Sequence, residues 1–215
     1  MDKVLSDVET RVLACLFEKE VTTPDYYPLT LNSLTAACNQ KSNRNPVVSY
    51  DEAAVELGLE RLRSKGIVQM IHIAGSRAAK YRHAFLEEYK LVPPEAAVLC
   101  ELMLRGPQTL GEIRGHAERM YGFSDLSEVE EILRELMDRE PSLVDKLPRQ
   151  PGRKEARFMS LLSGRPEIRE EDAALSPEAM NSDRDRISAL EEEVSGLRNE
   201  LGSLRKIFEE FRSQF

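Results

Sequence analysis

The chain has 215 residues, 41% hydrophobic and 32% charged, with only 6% aromatic, no tryptophan and a formal net charge of −8. That balance suits two small helix-rich domains and an appendage better than one deep enzyme core. The acid excess argues against binding nucleic acid over the whole surface, and no run approaches the ~18 apolar residues of a membrane span. The start, "MDKVLSDVET", lacks the basic head and apolar middle of a signal peptide, so a cytoplasmic location is expected. Charge is uneven. Residues 1–90 carry 12 basic and 12 acidic side chains, 91–164 carry 10 and 13, and 165–215 carry 8 and 13, which leaves room for a local basic site in the first half.

In chain order, Ser6 followed by Glu9 is a capping box, and Val8, Val12, Leu13 and Leu16 form one face of a first helix over about 7–20. The loop "VTTPDYYPL" precedes a short second helix carrying Leu31, Leu34 and Cys38. Then comes "CNQKSNRNPVVS", residues 38–49, with three asparagines, a lysine, an arginine and a proline but no acid. Asn43 and Asn45 are expected to close this turn through bonds to the backbone, and Pro46 to end it in extended form. Ser49 with Glu52 reads as a second capping box, and Val55, Leu59 and Leu62 line a third helix that stops at Gly66. "IVQMIHI" and "YRHAF" then read as a strand pair around the loop "AGSRAAK".

Three helices and a hairpin make the order of a winged helix, and the order occurs twice. "ETRVLACLFEK" (9–19) matches "EAAVLCELMLR" (95–105), "TLNSLT" (30–35) matches "TLGEIR" (109–114), and Val55, Leu59 and Leu62 correspond to Val129, Leu133 and Leu136. "GIVQMI" corresponds to "SLVDKL", and Tyr81 to Phe158. The chain reads as an internal duplication of a unit of about eighty residues, jointed at the "VPP" of 92–94. Residues 164–184 are acidic and dotted with Pro, Gly and Ser, as a flexible linker would be. From Ile187 the apolar residues follow coiled-coil spacing: Ile187, Val194, Leu201, Phe208 and Phe215 at a, and Leu190, Leu197, Leu204 and Phe211 at d. Arg186 with Glu191, Glu193 with Arg198, and Glu200 with Arg205 are opposite-sign pairs across a parallel homodimer. The fold expected is mostly α with small β-hairpins: tandem winged helices at 1–90 and 91–163, a linker at 164–184 and a coiled-coil helix at 185–215.

The stretches "EKE.TTPD.YPLTLN" and "CNQKSNR.PV" are more particular than helix patterning requires, and over about residues 4–162 the chain resembles the YceH-like bacterial proteins. That resemblance implies two winged helices and supplies no biochemical role. It does not extend to the coiled coil.

No enzyme motif is present: phosphate-binding Gly loop, GxSxG, HExxH and paired cysteines are all missing, so no catalytic, cofactor or metal residue is expected. Cys15, Cys38 and Cys100 read as buried structural thiols. His72 and His83 lie in the two proposed strands, where facing each other would permit a metal, although scattered histidines read more simply as surface residues. Glu9 and Glu95 read as helix N-terminal acids.

The outward face expected of the third helix holds Asp51, Glu52, Glu56 and Glu60, with Arg61 and Arg63 only at its end; in its second copy Glu128, Glu130, Glu131, Glu135, Asp138 and Glu140 outweigh Arg134 and Arg139. Such density repels phosphate, so ordinary recognition-helix readout is disfavoured. The loops differ. Lys41 and Arg44 in the turn, Arg77, Lys80 and Arg82 in the first wing, and Arg149, Arg153, Lys154 and Arg157 in the second form candidate contacts to a partner or to nucleic acid backbone. The expectation is a non-enzymatic interaction scaffold with an unidentified protein partner; a DNA-associated regulator is the alternative.

Overall fold

A computed structural model describes residues 4–72, 78–149 and 155–164. The chain divides into two units, residues 1–165 and 166–215, and all described residues lie in the first. The coiled-coil positions Ile187, Leu190, Val194, Leu197, Leu201, Leu204, Phe208 and Phe211 fall outside the described residues. Among those described, the fold is mostly helical with two small antiparallel sheets. No helix there is long and apolar enough to cross a membrane.

Helix α1 (Asp7–Thr22) starts at the expected capping box: Ser6 Oγ accepts from Glu9 N, and Glu9 Oε2 accepts from Ser6 N at 2.7 Å. A single 3-10 turn at Pro24–Tyr26 leads to β1 (Leu29–Thr30) and α2 (Leu31–Cys38), capped by Thr30. Helix α3 (Glu52–Ser64) is capped by Asp51, not Ser49. The reason is tertiary: Asn39 grips the backbone of Tyr50 from both sides, at 2.7 and 2.8 Å, so the helix cannot begin before that residue. Asp51 Oδ1 then accepts from Ala54 N, and Glu52 turns outward to Asn32. Gly58 allows α3 close to α1, since a Cβ there would stand 3.0 Å from Val8 Cγ1. Gly66, at φ +78°, ends the segment as expected.

Strands β2 (Val68–Ile71) and β3 (Lys80–His83) pair antiparallel, and β1 adds to the other edge of β3, giving the order β1-β3-β2. The short helix α4 (Phe85–Tyr89) follows; neither it nor two-residue β1 has enough length to show a period in sequence. Helices α5 (Pro93–Arg105), α6 (Leu110–Ala117) and α7 (Leu126–Asp138) and the pair β4 (Val144–Lys146) and β5 (Phe158–Ser160) complete the unit. The expected joint, "VPP", supplies the start of α5, with prolines where amide hydrogens would lack partners.

Backbone bonds repeat from one half to the other at the residues matched by sequence. Ile67 N donates to Leu62 O and Leu143 N to Leu136 O; Ala84 N donates to Ile67 O and Leu161 N to Leu143 O. Leu29 pairs with Tyr81, and Gln108 bridges to Phe158. Thr30 and Thr109 both cap second helices.

Helix α1 differs from expectation in one respect. Its buried residues run without a break from Glu9 to Glu18, not along one stripe. Helix α5 is likewise buried from Glu95 to Leu104, and the two helices pack together. Each half thus covers the face of the other's first helix that an isolated domain would leave to water.

Candidate functional site

The third helices present the acidic faces expected. Glu52, Glu56 and Glu60 are exposed on α3 beside Leu57, and Glu130, Glu131, Glu135 and Asp138 are exposed on α7 beside Leu126. Two other charges of this group serve the fold. Glu128 accepts from Ser124 N at 2.7 Å and lines the α7 entry, while Arg139 folds back onto Glu95, with both carboxylate oxygens at 2.8 Å. Glu95 also accepts from Val92 N, and Glu9 has the parallel pair of partners, Ser6 N and Lys65 Nζ. Burial raises the Glu9 carboxyl, but Lys65 and Ser6 outweigh it and hold the group below its ordinary value. Both acids read as N-terminal helix acids do act there, and each also ties its first helix to the end of the third.

Of the basic candidates, Lys41, Arg82 and Arg149 are exposed and Lys80 is half-buried. Arg82 donates from Nε and Nη2 to Gln69 Oε1, at 2.9 and 2.7 Å, so it stands braced on the first sheet. Arg157 is drawn against Pro107 O and Glu112. Arg77, Arg153 and Lys154 lie outside the described residues.

Arg44 is the correction. Instead of facing solvent from the turn it is 5% exposed, and its guanidinium grips Glu18 at 2.9 and 2.5 Å. It also donates to Ala37 O, Asn43 O and Gln40 Oε1, and approaches Cys15 Sγ at 3.4 Å. Burial disfavours both charges. The pairing outweighs it, keeping Glu18 below and Arg44 above their ordinary values, with Arg119 reinforcing Glu18. A contact site needs an accessible cation; Arg44 is a structural one.

The turn closes differently from expectation too. Asn39 braces it; Asn43, at φ 59°, sends Oδ1 to Arg105 Nη2 at 2.6 Å, and Asn45 N donates to Leu104 O at 2.9 Å. The turn of the first half is therefore docked on α5 of the second. Arg119 completes the joint, donating to Glu18 and, at 2.6 Å, to Glu101, which also accepts from Arg105 at 3.1 Å. Glu18 and Glu101 each have a fully buried side chain and two arginine partners. Removing one member would leave the others buried and uncompensated. Sequence reasoning missed this joint because most of its partners lie far apart along the chain; the one available signal was an acid, Glu101, inside an apolar run.

His72 and His83 do not face each other. His83 pairs across the sheet with Val68, while His72 lies beyond the end of β2 and is exposed. The His83 ring is buried among Phe17, Tyr27 and Phe85, accepts from Phe85 N at Nδ1 and places Nε2 2.8 Å from Glu20. The ring holds the Glu20 carboxyl below its ordinary value. Among the described residues no group of three or more His, Cys, Asp or Glu side chains could hold a metal.

Residues 5–153 match the family model described as "Protein of unknown function, DUF480". The chain is 53% identical over 219 residues to a UPF0502 protein of Geotalea uraniireducens and 54% identical over 219 residues to one of Geobacter metallireducens, each alignment covering all of both chains. A UPF0502 protein of Pelobacter propionicus is 52% identical over the same extent. The early resemblance to YceH-like proteins agrees with these matches, and the chain belongs to the DUF480 family of bacterial proteins, to which it is alike along its full length.

Proposed function

We propose that this chain is a non-enzymatic tandem winged-helix scaffold that binds another protein through its acidic third helices and dimerises through its C-terminal helix. The repeated order of helices and hairpins supports the winged-helix reading, with 1–90 and 91–163 as the two domains. One observation carries the preference for a protein partner: both third helices, the elements that would enter a major groove, turn carboxylates outward. Near phosphates these would repel, whereas against a basic protein surface they attract and steer.

A second reading, contact with nucleic acid backbone, is favoured by the exposed Lys41, Arg82 and Arg149. Anisotropy of labelled random duplex at low and moderate salt separates the two. The scaffold reading expects no binding at low salt. Binding that weakens with Lys80→Glu plus Arg82→Glu would replace it with the nucleic acid reading. For assembly, light scattering is expected to find a dimer that becomes a monomer on Leu197→Glu plus Leu201→Glu; a dimer unaffected by those changes sinks the coiled-coil part.

A further inference from the structure

The joint between the halves holds more positive than negative charge. Four cations share its two buried carboxylates: Lys19 Nζ lies 3.7 Å from Glu18, which Arg44 and Arg119 also hold, while Arg119 and Arg105 meet Glu101 at 2.6 and 3.1 Å. Among the described residues no other carboxylate lies within 4.0 Å of any of the four, so two positive charges are left over. The surplus sits at the rim. Arg44 and both carboxylates are fully buried, whereas the side chains of Lys19, Arg105 and Arg119 keep 17%, 21% and 25% of their surface open.

These three cations come from the last turn of α1, the last turn of α5 and the residues just after α6. The 39–46 turn stitches them together. Lys19 donates to Gln40 Oε1 at 3.4 Å, Arg44 donates to the same oxygen at 3.2 Å, and Arg105 Nη2 donates to Asn43 Oδ1 at 2.6 Å. Lys41, exposed, lies between Gln40 and Asn43 in the chain. Donors also remain unused. Arg105 directs Nε to Glu101 and Nη2 to Asn43, which leaves its Nη1 without an acceptor among the described residues.

We propose that this rim binds a dianionic phosphate group, either free phosphate or a phosphate monoester, between Lys19, Lys41, Arg105 and Arg119. The site is independent of the proposed function, because none of these cations lies on a third helix. An arginine fork meets two phosphate oxygens at once, and a lysine adds a mobile point charge. The charge count selects the class. A monoester carries close to two negative charges at neutral pH and matches the surplus, whereas the diester of a nucleic acid backbone carries one and leaves a cation uncompensated. Burial works against the Arg119 charge, but Glu18 and Glu101 outweigh it and keep that side chain a cation. A phosphate held there would bridge the ends of α1 and α5, and so tie the halves together.

Full-length protein, labelled with nitrogen-15, is titrated with sodium phosphate, adenosine monophosphate or dimethyl phosphate at neutral pH and constant ionic strength. Expected are saturable amide shifts around Lys19, 40–43, Arg105 and Arg119 with the first two. Which of those two binds tighter tells a free anion from an ester. Dimethyl phosphate, a monoanion, is expected to bind about tenfold more weakly. Lys19→Gln with Lys41→Gln leaves the arginine pairs in place and is expected to weaken phosphate about fivefold, and Lys41→Gln alone, at an exposed position, about twofold. No saturable shift at these residues, or shifts that survive the double change undiminished, overturns the site. Equal affinity for dimethyl phosphate overturns the match to a dianion.

Discussion

The two halves of the described unit share a backbone plan and differ in what they place on the same helix face. Positions 15 and 18 of α1 correspond to 101 and 104 of α5, and residues three apart share a face. The first half puts Cys15 and Glu18 there; the second puts Glu101 and Leu104. Both use one buried carboxylate at the joint, but at different positions, and the cations come from different places: Arg44 from a turn, Arg119 from beyond α6, Arg105 from α5 itself. In the hairpins the plan is met by different chemistry. Phe85 N donates to His83 Nδ1, and at the matching place Leu162 N donates to Ser160 Oγ. A fold tolerates any side chain that satisfies such a donor. The joint is less tolerant, since its buried carboxylates lean chiefly on the arginines that meet there.

Breaking the joint is expected to have the largest effect. Glu18→Ala strands the buried Arg44, leaves Arg119 to Glu101 alone, and should cost about 3–5 kcal/mol of stability by urea unfolding. The exchange Glu18→Leu with Arg44→Leu, which copies the leucine of the second half, should recover part of that loss, because apolar replacement of a whole buried pair is often near neutral. Acid sharpens the same point. The Glu18 carboxyl lies below its unfolded value of ~4.3, so the folded chain binds fewer protons than the unfolded one. Its contribution is complete above that value and is lost as pH falls through the folded-state one. Urea midpoints should drop from about pH 5 downward, and Glu18→Gln should flatten that limb.

The matched ties between first and third helices offer a smaller contrast. Arg139→Met removes paired bonds to Glu95 and one to Tyr89 O, and should cost about 2 kcal/mol. Lys65→Met, its counterpart, should cost about 0.5–1 kcal/mol in the same assay, because Lys65 makes fewer bonds, one to Glu9 and one to Val4 O. Smallest are the caps. Thr30→Ala and Thr109→Ala should each cost about 1 kcal/mol, the second less, since Glu112 still reaches back to the backbone N of residue 109 after the change. Equal losses in both pairs would mean that the halves respond alike and that the difference between them is confined to the joint.

Much of this plan was legible before the structure. Ser6 with Glu9 and Gly66 mark helix ends through signals a few residues long, and the stripes Val55-Leu59-Leu62 and Val129-Leu133-Leu136 repeat at helical period. The pairing of Tyr81 and Phe158 located equivalent strands because a shared register keeps the same residue facing inward. Less was legible of the candidate site. The acidic third helices emerged as read, as did the exposure of Lys41, Arg82 and Arg149, but Arg44 was read as a surface contact and the start of α3 was set two residues early.

What the sequence determined by itself was therefore the local and the periodic: helix ends, buried stripes, the repeated order of elements and the sign of charge on each helix face. Those depend on neighbours within a turn or two, so they are written in short windows. Only tertiary structure decided the fate of individual charges. Arg44 meets Glu18 across 26 positions, Asn43 meets Arg105 across 62 and Arg119 meets Glu18 across 101. Whether a cation faces water or seals a joint depends on which buried helix arrives beside it, and that follows from the docking of two halves.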